Sequence, residues 1–233
     1  MLFNKNIKKI NSTNYTVALV GNPNVGKSTI FNALTGMHQH TGNWPGKTVE
    51  NASGICNYKN KNYRLIDLPG TYSLMSHSEE EEIARNYICF GKSDTLLIVV
   101  DATCLERNLN LVYQSLEITP NIILCVNLLD EAKRKGININ LDLLSQRLGI
   151  PVVGTIAKSK KTLKSLMSQV ENICTKKIHP SPIKLNYGVA IEESIEILEP
   201  LIHKQLTNAH SYLARWISIK LIEGDAKILT SIS

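Results

Sequence analysis

The stretch GNPNVGKSTIFNALTG, at residues 21–36, constrains the fold of this chain more than any other part of the sequence. It follows an apolar run at 15–20 and opens a segment with helical periodicity, so it is predicted to join a β-strand to an α-helix. In that setting the main-chain amides of residues 24–28 would form a concave phosphate site at the N-terminus of the helix. The alternative is a chance glycine-rich turn, against which the later motifs argue.

Alternating strand and helix patterns predict the fold class. Apolar runs between turn residues predict strands at residues 15–20, 63–66, 96–100, 122–126 and 152–153. Helical patterns lie between and after them, at 27–34, 79–89, 105–118, 141–148 and 163–174. Such alternation predicts an α/β fold with a mostly parallel sheet and helices on both faces. The segments 49–58 and 62–67 face each other across a polar turn, which predicts an antiparallel hairpin at the sheet edge.

Three regions are predicted along the chain: a disordered lead-in at 1–14, a nucleotide-binding domain at 15–178, and an incomplete, all-helical domain at 179–233. The strand patterns stop at the prolines near residue 180. Two helical patterns follow, at 190–198 and 209–223. The second has one apolar face, formed by Leu213, Trp216, Ile217 and Leu221.

Composition indicates a soluble, reduced protein. The apolar runs are much shorter than the roughly 18 to 20 residues that cross a bilayer, and the N-terminus lacks the apolar core of a secretory signal. The five cysteines are odd in number and form no C-x-x-C pair, which argues against a disulfide framework and a zinc site. The formal charge of +6 comes from short lysine clusters. Charge alone does not choose between a solvated surface, an acidic membrane face and RNA.

Two further motifs would face the phosphates. DLPG follows a predicted strand, where Asp67 can hold Mg²⁺ through water and the Gly70 amide can bond the γ-phosphate. NWPGKTVE, at residues 43–50, supplies Thr48 as a Mg²⁺ ligand in the triphosphate state and forms a loop that could order with the nucleotide. The alternative for this loop is an ordinary exposed turn.

The motif NLLD, at residues 127–130, would read the base. The Asp130 carboxylate can accept hydrogen bonds from N1 and N2 of guanine, and adenine offers no such pair of donors, so GTP is favoured over ATP. Leu128 stands where this motif usually has lysine, which predicts weaker affinity and fast exchange. The TIA segment, at residues 155–157, has the position at which main-chain amides commonly meet the guanine oxygen.

In their order these five segments resemble those of the translation-factor-like small GTPases. GNPNVGKSTIFNALTG, GNWPGKTVE, DLPGTYSL and RWISIKLIEGD narrow the resemblance to the cytosolic part of the ferrous iron transport protein B family, over residues 15–225. Leu128 fits that family, which commonly lacks the lysine. Lys47 departs from it, because the family often has a small apolar residue there, and the Lys47 side chain is expected to face solvent.

The resemblance implies a site for GTP or GDP, Mg²⁺ and K⁺. The Mg²⁺ ligands would be Ser28, Thr48 and Asp67, and Asn24 would hold K⁺ with carbonyls of residues 43–46. Asn24, Lys27, Thr48 and Gly70 are the residues expected to act in catalysis. The residues expected to contact the nucleotide or its ions are Gly21, Asn22, Pro23, Asn24, Val25, Gly26, Lys27, Ser28, Thr29, Asn43, Trp44, Pro45, Gly46, Lys47, Thr48, Asp67, Leu68, Pro69, Gly70, Asn127, Leu128, Asp130, Thr155, Ile156 and Ala157.

Hydrolysis would lack the catalytic glutamine and arginine that Ras-like proteins use. Thr71 stands where those proteins have a water-orienting glutamine, and the nearest arginines in sequence are Arg64 and Arg85. Slow turnover is expected unless K⁺ at Asn24 supplies the missing charge. The alternative is that Asn24 only caps the turn. The histidines His38 and His40 are not assigned to iron. The four glutamates at residues 79–82 are expected to favour the positive end of their own helix.

The resemblance implies a GTPase at the cytoplasmic face of the bacterial inner membrane that regulates or powers ferrous iron uptake. Its partner would be its own C-terminal transmembrane iron-permeation region, and small cytosolic accessory proteins and further copies of the chain are partners that the resemblance leaves open. One alternative is a potassium-dependent GTPase of the ribosome or tRNA, but no RNA-binding module is evident, so no nucleic-acid partner is expected. Another is a nucleotide sensor that does not hydrolyse.

Overall fold

The computed structural model describes residues 14–36, 39–45, 47, 49–75, 78–206 and 213–225. Their centre is a seven-stranded sheet in the order β2-β3-β4-β1-β5-β6-β7. Five neighbouring strands, β4, β1, β5, β6 and β7, run parallel to one another. Strand β3 pairs antiparallel with both β2 and β4. The strands are β1 (Asn14–Gly21), β2 (Gln39–Asn43), β3 (Glu50–Tyr58), β4 (Lys61–Asp67), β5 (Thr95–Asp101), β6 (Ile122–Asn127) and β7 (Val152–Gly154).

Eight α-helices accompany the sheet in the part of the chain that the structure describes. They are α1 (Lys27–Thr35), α2 (Glu79–Phe90), α3 (Leu105–Leu116), α4 (Leu129–Arg134), α5 (Leu141–Leu148), α6 (Lys160–Cys174), α7 (Val189–Gln205) and α8 (Ala214–Ile222), with a short 3₁₀ turn (Ala102–Cys104) before α3. Helix α2 has Ser78 as its N-cap, whose side chain accepts from the Glu81 amide. Helix α5 ends at Gly149 in the left-handed region, as predicted.

Strand β1 shows why helices cover both faces of the sheet. Its side chains alternate between the faces, since successive residues of a strand point in opposite directions. Val17 and Leu19 pack in one cluster with apolar residues of α1 and α6, and Ala18 and Val20 pack in another with residues of α2, α3 and α8. All four are fully buried. The predicted α/β fold, with a mostly parallel sheet between helices and a small helical part after it, is therefore confirmed.

The predicted hairpin is present as β3 and β4. Lys59 and Asn60 connect the two strands with φ of 46° and 61°, both left-handed, as a two-residue turn that matches the strand twist requires. However, the edge of the sheet is β2, which pairs with β3 and was not predicted. Its sequence, QHTGN, lacks the apolar alternation by which a strand is recognised, since an edge strand buries little.

The helical part differs in extent from its prediction. Helix α7 is longer than the pattern at 190–198 indicates, and it continues through Pro200 to Gln205. Of the pattern at 209–223, α8 covers Ala214–Ile222, and residues 209–212 lie outside the described residues. The lead-in predicted at 1–14 lies outside them up to residue 13, and Asn14 already belongs to β1. The domain boundary at 178 stays a prediction; the elements on either side, α6 and α7, end and begin at Cys174 and Val189.

Among the described residues, no helix is both long enough and apolar enough to cross a membrane.

Candidate functional site

The loop between β1 and α1 turns sharply enough to aim its amides at one point. Asn24 and Gly26 adopt left-handed φ angles of 67° and 81°, and such residues within a right-handed path give the concave amide arrangement that binds anions. The loop also lies close to the sheet. A Cβ added at Gly21 would lie 2.3 Å from the Val99 carbonyl oxygen of β5, so a side chain there would displace the start of the loop.

Asn127, at the end of β6, anchors this loop through a side-chain hydrogen bond. Its Nδ2 donates to the Val25 carbonyl over 3.0 Å, and its Oδ1 accepts from the Thr155 hydroxyl over 3.1 Å. A Cβ added at Gly26 would lie 2.4 Å from the same Nδ2. Because Asn127 is fully buried and both ends of its amide bond to protein, its position sets the position of the phosphate loop.

Lys27 and Ser28 both contact the same carboxylate. The Lys27 ammonium forms an ion pair with Asp67 Oδ1, and the Ser28 hydroxyl donates to Asp67 Oδ2 over 3.2 Å. The side chains of Lys27 and Asp67 are only 10% and 12% exposed, so the pair is shielded from water. A hydroxyl beside a carboxylate is the hard-oxygen donor set that suits Mg²⁺, and these two residues therefore fit the predicted magnesium site.

The DLPG loop, residues 67–70, is fixed to the same strand end. The Leu68 amide donates to the Leu19 carbonyl over 3.0 Å, and the Thr71 amide donates to the Gly21 carbonyl over 3.1 Å. A Cβ added at Gly70 would lie 3.3 Å from Pro23 Cγ, so the glycine packs directly against the phosphate loop. The predicted proximity of these two loops is thus present in the structure.

Asn22, in the phosphate loop, is only 3% exposed, and its Oδ1 has no hydrogen-bond partner among the residues that the structure describes. Buried polar atoms without a partner are few in native proteins and often occur where a ligand completes the site.

The segment predicted to read the base, residues 127–130, lies beside the loop to which Asn127 bonds. Leu128 is the N-cap of α4 with a left-handed φ of 61°, a conformation that strains a non-glycine residue and often marks a functional position. Asp130 lies in the first turn of α4, is exposed, and forms no ion pair with any described residue. The six-residue α4 was not predicted, because it is too short to show helical periodicity.

The TIA segment joins the same network. Thr155 is fully buried, and its hydroxyl lies 3.1 Å from the Cys125 sulfur; burial raises the pKa of that thiol to about 12, so Cys125 stays neutral. The Ile156 amide donates to the Thr162 hydroxyl over 3.2 Å, so this amide already has a protein partner. Ala157 packs at the rim of the cluster that contains α1 and α6.

The loop between β2 and β3 corrects one prediction. Lys47 does not extend freely into solvent: its side chain is 35% exposed, and its ammonium lies 3.6 Å from Glu79 Oε1 and 3.4 Å from Glu82 Oε2, on the first turn of α2. The glutamates favour the N-terminus of α2, as predicted, and two of them also hold this lysine. Trp44 packs edge-on against Tyr87 of α2, with ring centroids 5.6 Å apart.

Several residues expected at the site are exposed or lie outside the described residues. Asn24, Thr29, Asn43 and Pro45 are exposed, and Pro69 is partly exposed. Gly46 and Thr48, and also His38, lie outside the described residues. Within the described residues, no three His, Cys, Asp or Glu side chains come together as a metal site.

Sequence reasoning missed three side chains that organise the site. Tyr87 supports Trp44, Thr162 bonds the Ile156 amide, and Glu117 joins α3 to the helical part. Tyr87 and Glu117 are far along the chain from their partners, whereas Thr162 is only six residues after Ile156 but lies beyond the start of α6. The run of glutamates in the first turn of α2 was a signal for a basic partner, and two of these glutamates pair with Lys47.

Arg215 joins the helical part to the nucleotide-site half of the molecule. Its guanidinium donates to Glu117, the C-cap of α3, over 3.1 Å and, through two bonds of 3.1 and 3.0 Å, to Glu192 of α7. These bonds lower the pKa of Glu192 to about 2. A second link is Arg85 of α2, 2% exposed, whose guanidinium lies 3.6 Å from Asp225. Thus α2 and α3 both contact the segment at residues 213–225.

Comparison with known proteins gives matches over both parts of the chain. Residues 15–170 match the family model of ferrous iron transport protein B, and residues 187–233 match that of the FeoB cytosolic helical domain. The fusion of Fe(2+) transport protein A and the Fe(2+) transporter FeoB from Porphyromonas gingivalis is 41% identical over 216 residues, 91% of this chain. The chain spans only 25% of that relative's length.

Solved structures match as well. The cytosolic domain of the T. maritima FeoB iron transporter in its apo form is 36% identical with a TM-score of 0.86, over 94% of this chain and 84% of that one. The same domain in a GDP form is 37% identical with a TM-score of 0.84 and the same coverage.

Proposed function

The chain belongs to the ferrous iron transport protein B family, and from that premise we propose that it binds GTP and hydrolyses it slowly, as the cytosolic domain of a ferrous iron transporter. The observation that carries this proposal is the convergence of Lys27, Ser28 and Asp67 beneath a loop of left-handed turns that Asn127 holds in place. The cytosolic domain of the T. maritima FeoB iron transporter, which was solved in a GDP form, is 37% identical and shares the fold.

Each part of the site has a task in this proposal. The amides of residues 24–28 and the Lys27 ammonium bind the phosphates, and the Gly70 amide bonds the terminal one. The exposed Asp130 carboxylate accepts from N1 and N2 of guanine, which selects guanine over adenine. The buried Asn127 positions the phosphate loop relative to the base-reading segment.

The residues present fit Mg²⁺, which Ser28, Asp67 and Thr48 would hold. Bound there, Mg²⁺ would neutralise phosphate charge. Asn24, exposed at the phosphate loop, would hold K⁺ together with carbonyls of the loop at residues 43–46, and K⁺ would supply charge that an arginine supplies elsewhere.

Slow turnover follows from what surrounds the terminal phosphate position. Thr71 is fully buried and its hydroxyl donates to the Ser73 carbonyl over 2.5 Å, so it cannot orient a water as a glutamine would. Arg85 is buried against Asp225 and the Arg64 side chain is exposed on β4. Neither arginine belongs to a loop at the phosphates, so stabilisation of the transition state is incomplete.

At the level of the whole protein, we propose that nucleotide state is coupled to iron uptake through the helical part. Arg215 and Arg85 link α3 and α2 to it, and the partner would be a C-terminal transmembrane iron-permeation region of the same protein, at the cytoplasmic face of the inner membrane. Accessory proteins and homo-oligomers are further candidates. Long apolar segments encoded after Ser233 would support this assignment, and a gene that lacks them would contradict it.

The direct test of the enzymatic proposal is phosphate release from GTP, followed for hours. The wild-type chain should turn over GTP slowly but measurably, and Lys27→Met should lower the rate by about a hundredfold, as loss of a transition-state contact does. Lys164→Met, which removes an exposed lysine on α6, is the matched control and should leave the rate unchanged. Binding without any turnover would favour a nucleotide sensor instead.

A further inference from the structure

The loop between β2 and β3 is closed by its own main chain. The Trp44 amide donates to the Val49 carbonyl over 2.9 Å, and the Lys47 amide donates to the Trp44 carbonyl over 3.0 Å. Pro45 lies inside that second ring, at the position that proline favours in a β-turn. The turn fixes the direction in which the side chains of Trp44 and Lys47 leave the loop.

Both side chains reach α2. The Trp44 ring meets Tyr87 at an interplanar angle of 66°. The Lys47 ammonium lies between Glu79 Oε1 at 3.6 Å and Glu82 Oε2 at 3.4 Å. One attachment is apolar and near the end of the helix, and the other is ionic and in its first turn. Two separate attachments fix the orientation of the loop on α2, which a single contact would leave free.

We propose that Lys47 is a positioning residue that holds this loop on α2 and thereby slows the release of guanine nucleotide. The inference rests on the proposed function, because it concerns the same nucleotide site. Helix α2 follows the DLPG loop, which is fixed through Leu68 and Thr71 to the end of β1, where the phosphate loop begins. When the β2–β3 loop is held on α2, it therefore keeps a fixed position relative to the phosphates of the proposed nucleotide. When the loop detaches from α2, it loses that position.

The chemistry of the contact suits a reversible attachment. The side chains of Lys47, Glu79 and Glu82 are 35%, 40% and 40% exposed, so water and salt reach the charges. Partly exposed ion pairs are individually weak and are screened by salt. An apolar residue at position 47 could not make this contact, so the attachment is a property of this chain's own lysine.

The test is the release rate of a fluorescent GDP analogue, measured by displacement with unlabelled GDP. Choline chloride is varied from about 0.05 M to about 0.5 M, which shortens the screening length severalfold, while K⁺ and Mg²⁺ are held constant. The wild type should release nucleotide about two to five times faster at high salt, the factor expected for partly exposed pairs. Lys47→Met should release it as fast at low salt as the wild type does at high salt, with little salt dependence.

Two further variants separate positioning from loss of structure. Lys164→Met is the matched control and should behave as the wild type. The double variant Glu79→Gln/Glu82→Gln should behave as Lys47→Met, which keeps the inference testable if the lysine variant folds poorly. Lys47→Glu should release nucleotide fastest, and combining it with Glu79→Lys and Glu82→Lys should restore slow release.

The outcomes distinguish the two proposals. Failure of the wild-type chain to bind the GDP analogue contradicts the proposed function itself. Saturable binding, with Lys47→Met and the wild type releasing nucleotide at the same rate at both salt concentrations, overturns the role of Lys47 and leaves the nucleotide site standing.

Discussion

The side-chain amide of Asn127 donates to the main-chain carbonyl of Val25 over 3.0 Å, although the two residues are 102 positions apart. The bond ties the end of β6 to the loop between β1 and α1. Breaking this bond would leave a buried donor and a buried acceptor without partners. Each would then cost its full desolvation free energy, so the contact holds the loop firmly. The phosphate side and the base side of the site thus share one rigid support.

Gly26→Ala should abolish nucleotide binding without unfolding the chain. The new Cβ would lie 2.4 Å from Asn127 Nδ2 and would force a left-handed residue to carry a side chain, so the loop must move. Affinity for GDP, measured by titration, should fall at least about a hundredfold, as expected when several phosphate contacts are lost together.

Gly136→Ala is the matched control for that change. Gly136 also has a positive φ, of 72°, but a Cβ there would meet nothing within 4 Å. It should cost about 1 kcal/mol of unfolding free energy from backbone strain alone and leave affinity unchanged. Equal affinities for the two variants would show that the contact with Asn127 is not what the loop requires.

Asp130→Asn should change which base is bound. Guanine offers two donors to a carboxylate, at N1 and N2, whereas xanthine has a carbonyl oxygen in place of the N2 amine. An amide at position 130 can donate to that oxygen and accept from N1. We expect GDP affinity to fall by about 10²- to 10⁴-fold, since the guanine N2 amine loses its acceptor, and XDP to bind better than GDP in competition titrations. A variant that keeps its preference for GDP would exclude Asp130 from base reading.

The sequence was sufficient for the features that depend on local chemistry. The phosphate loop, the hairpin turn at Lys59 and Asn60 and the caps at Ser78 and Gly149 follow from residue types that allow few conformations. Edge strand β2 and short helix α4 were missed, because neither buries enough apolar surface to set a period.

Contacts between distant elements were not predictable in the same way. Lys47 was expected in solvent because nothing beside it in the sequence pairs with it, and its partners on α2 lie some 32 to 35 positions away by residue number. Likewise, Arg215 is recognisable within its motif, but its bond to Glu117 depends on how α8 packs on α3. Long-range ion pairs of this kind follow from tertiary packing, which a single sequence does not specify locally.

Potassium should accelerate GTP turnover, and Asn24 should be required for that effect. Asn24 is exposed at the phosphate loop, and no described residue bonds to its side-chain oxygen, so that oxygen can bind a weakly hydrated cation. Turnover should be at least about tenfold faster in K⁺ than in Na⁺, a modest share of what an arginine provides. In Asn24→Ala the two ions should give the same slow rate. Equal rates for the wild type in both ions would exclude a catalytic role for K⁺.

Acid should loosen the packing of α7 on α8 within the helical part. Arg215 and the Tyr187 amide lower the pKa of Glu192 from 4.5 to about 2, so the folded state binds fewer protons at this group than the unfolded state does. Its contribution to stability is therefore fully present above pH 4.5 and is lost as the pH falls through about 2. In urea unfolding followed between those limits, Glu192→Gln should show a shallower loss of stability than the wild type.

The control for the acid effect is Glu193→Gln, the neighbouring exposed carboxylate on α7. It should retain the wild-type pH dependence. If Glu192→Gln and Glu193→Gln lose stability with the same slope, the bond between Arg215 and Glu192 does not stabilise the packing of α7 on α8.

The most direct test of the central claim is equilibrium titration of the wild-type chain with fluorescent GDP and ADP analogues in the presence of Mg²⁺. The account predicts saturable binding of the guanine nucleotide and, because Asp130 cannot pair with adenine, no saturation by the adenine nucleotide over the same range. Equal binding of both nucleotides, or binding of neither, would contradict it.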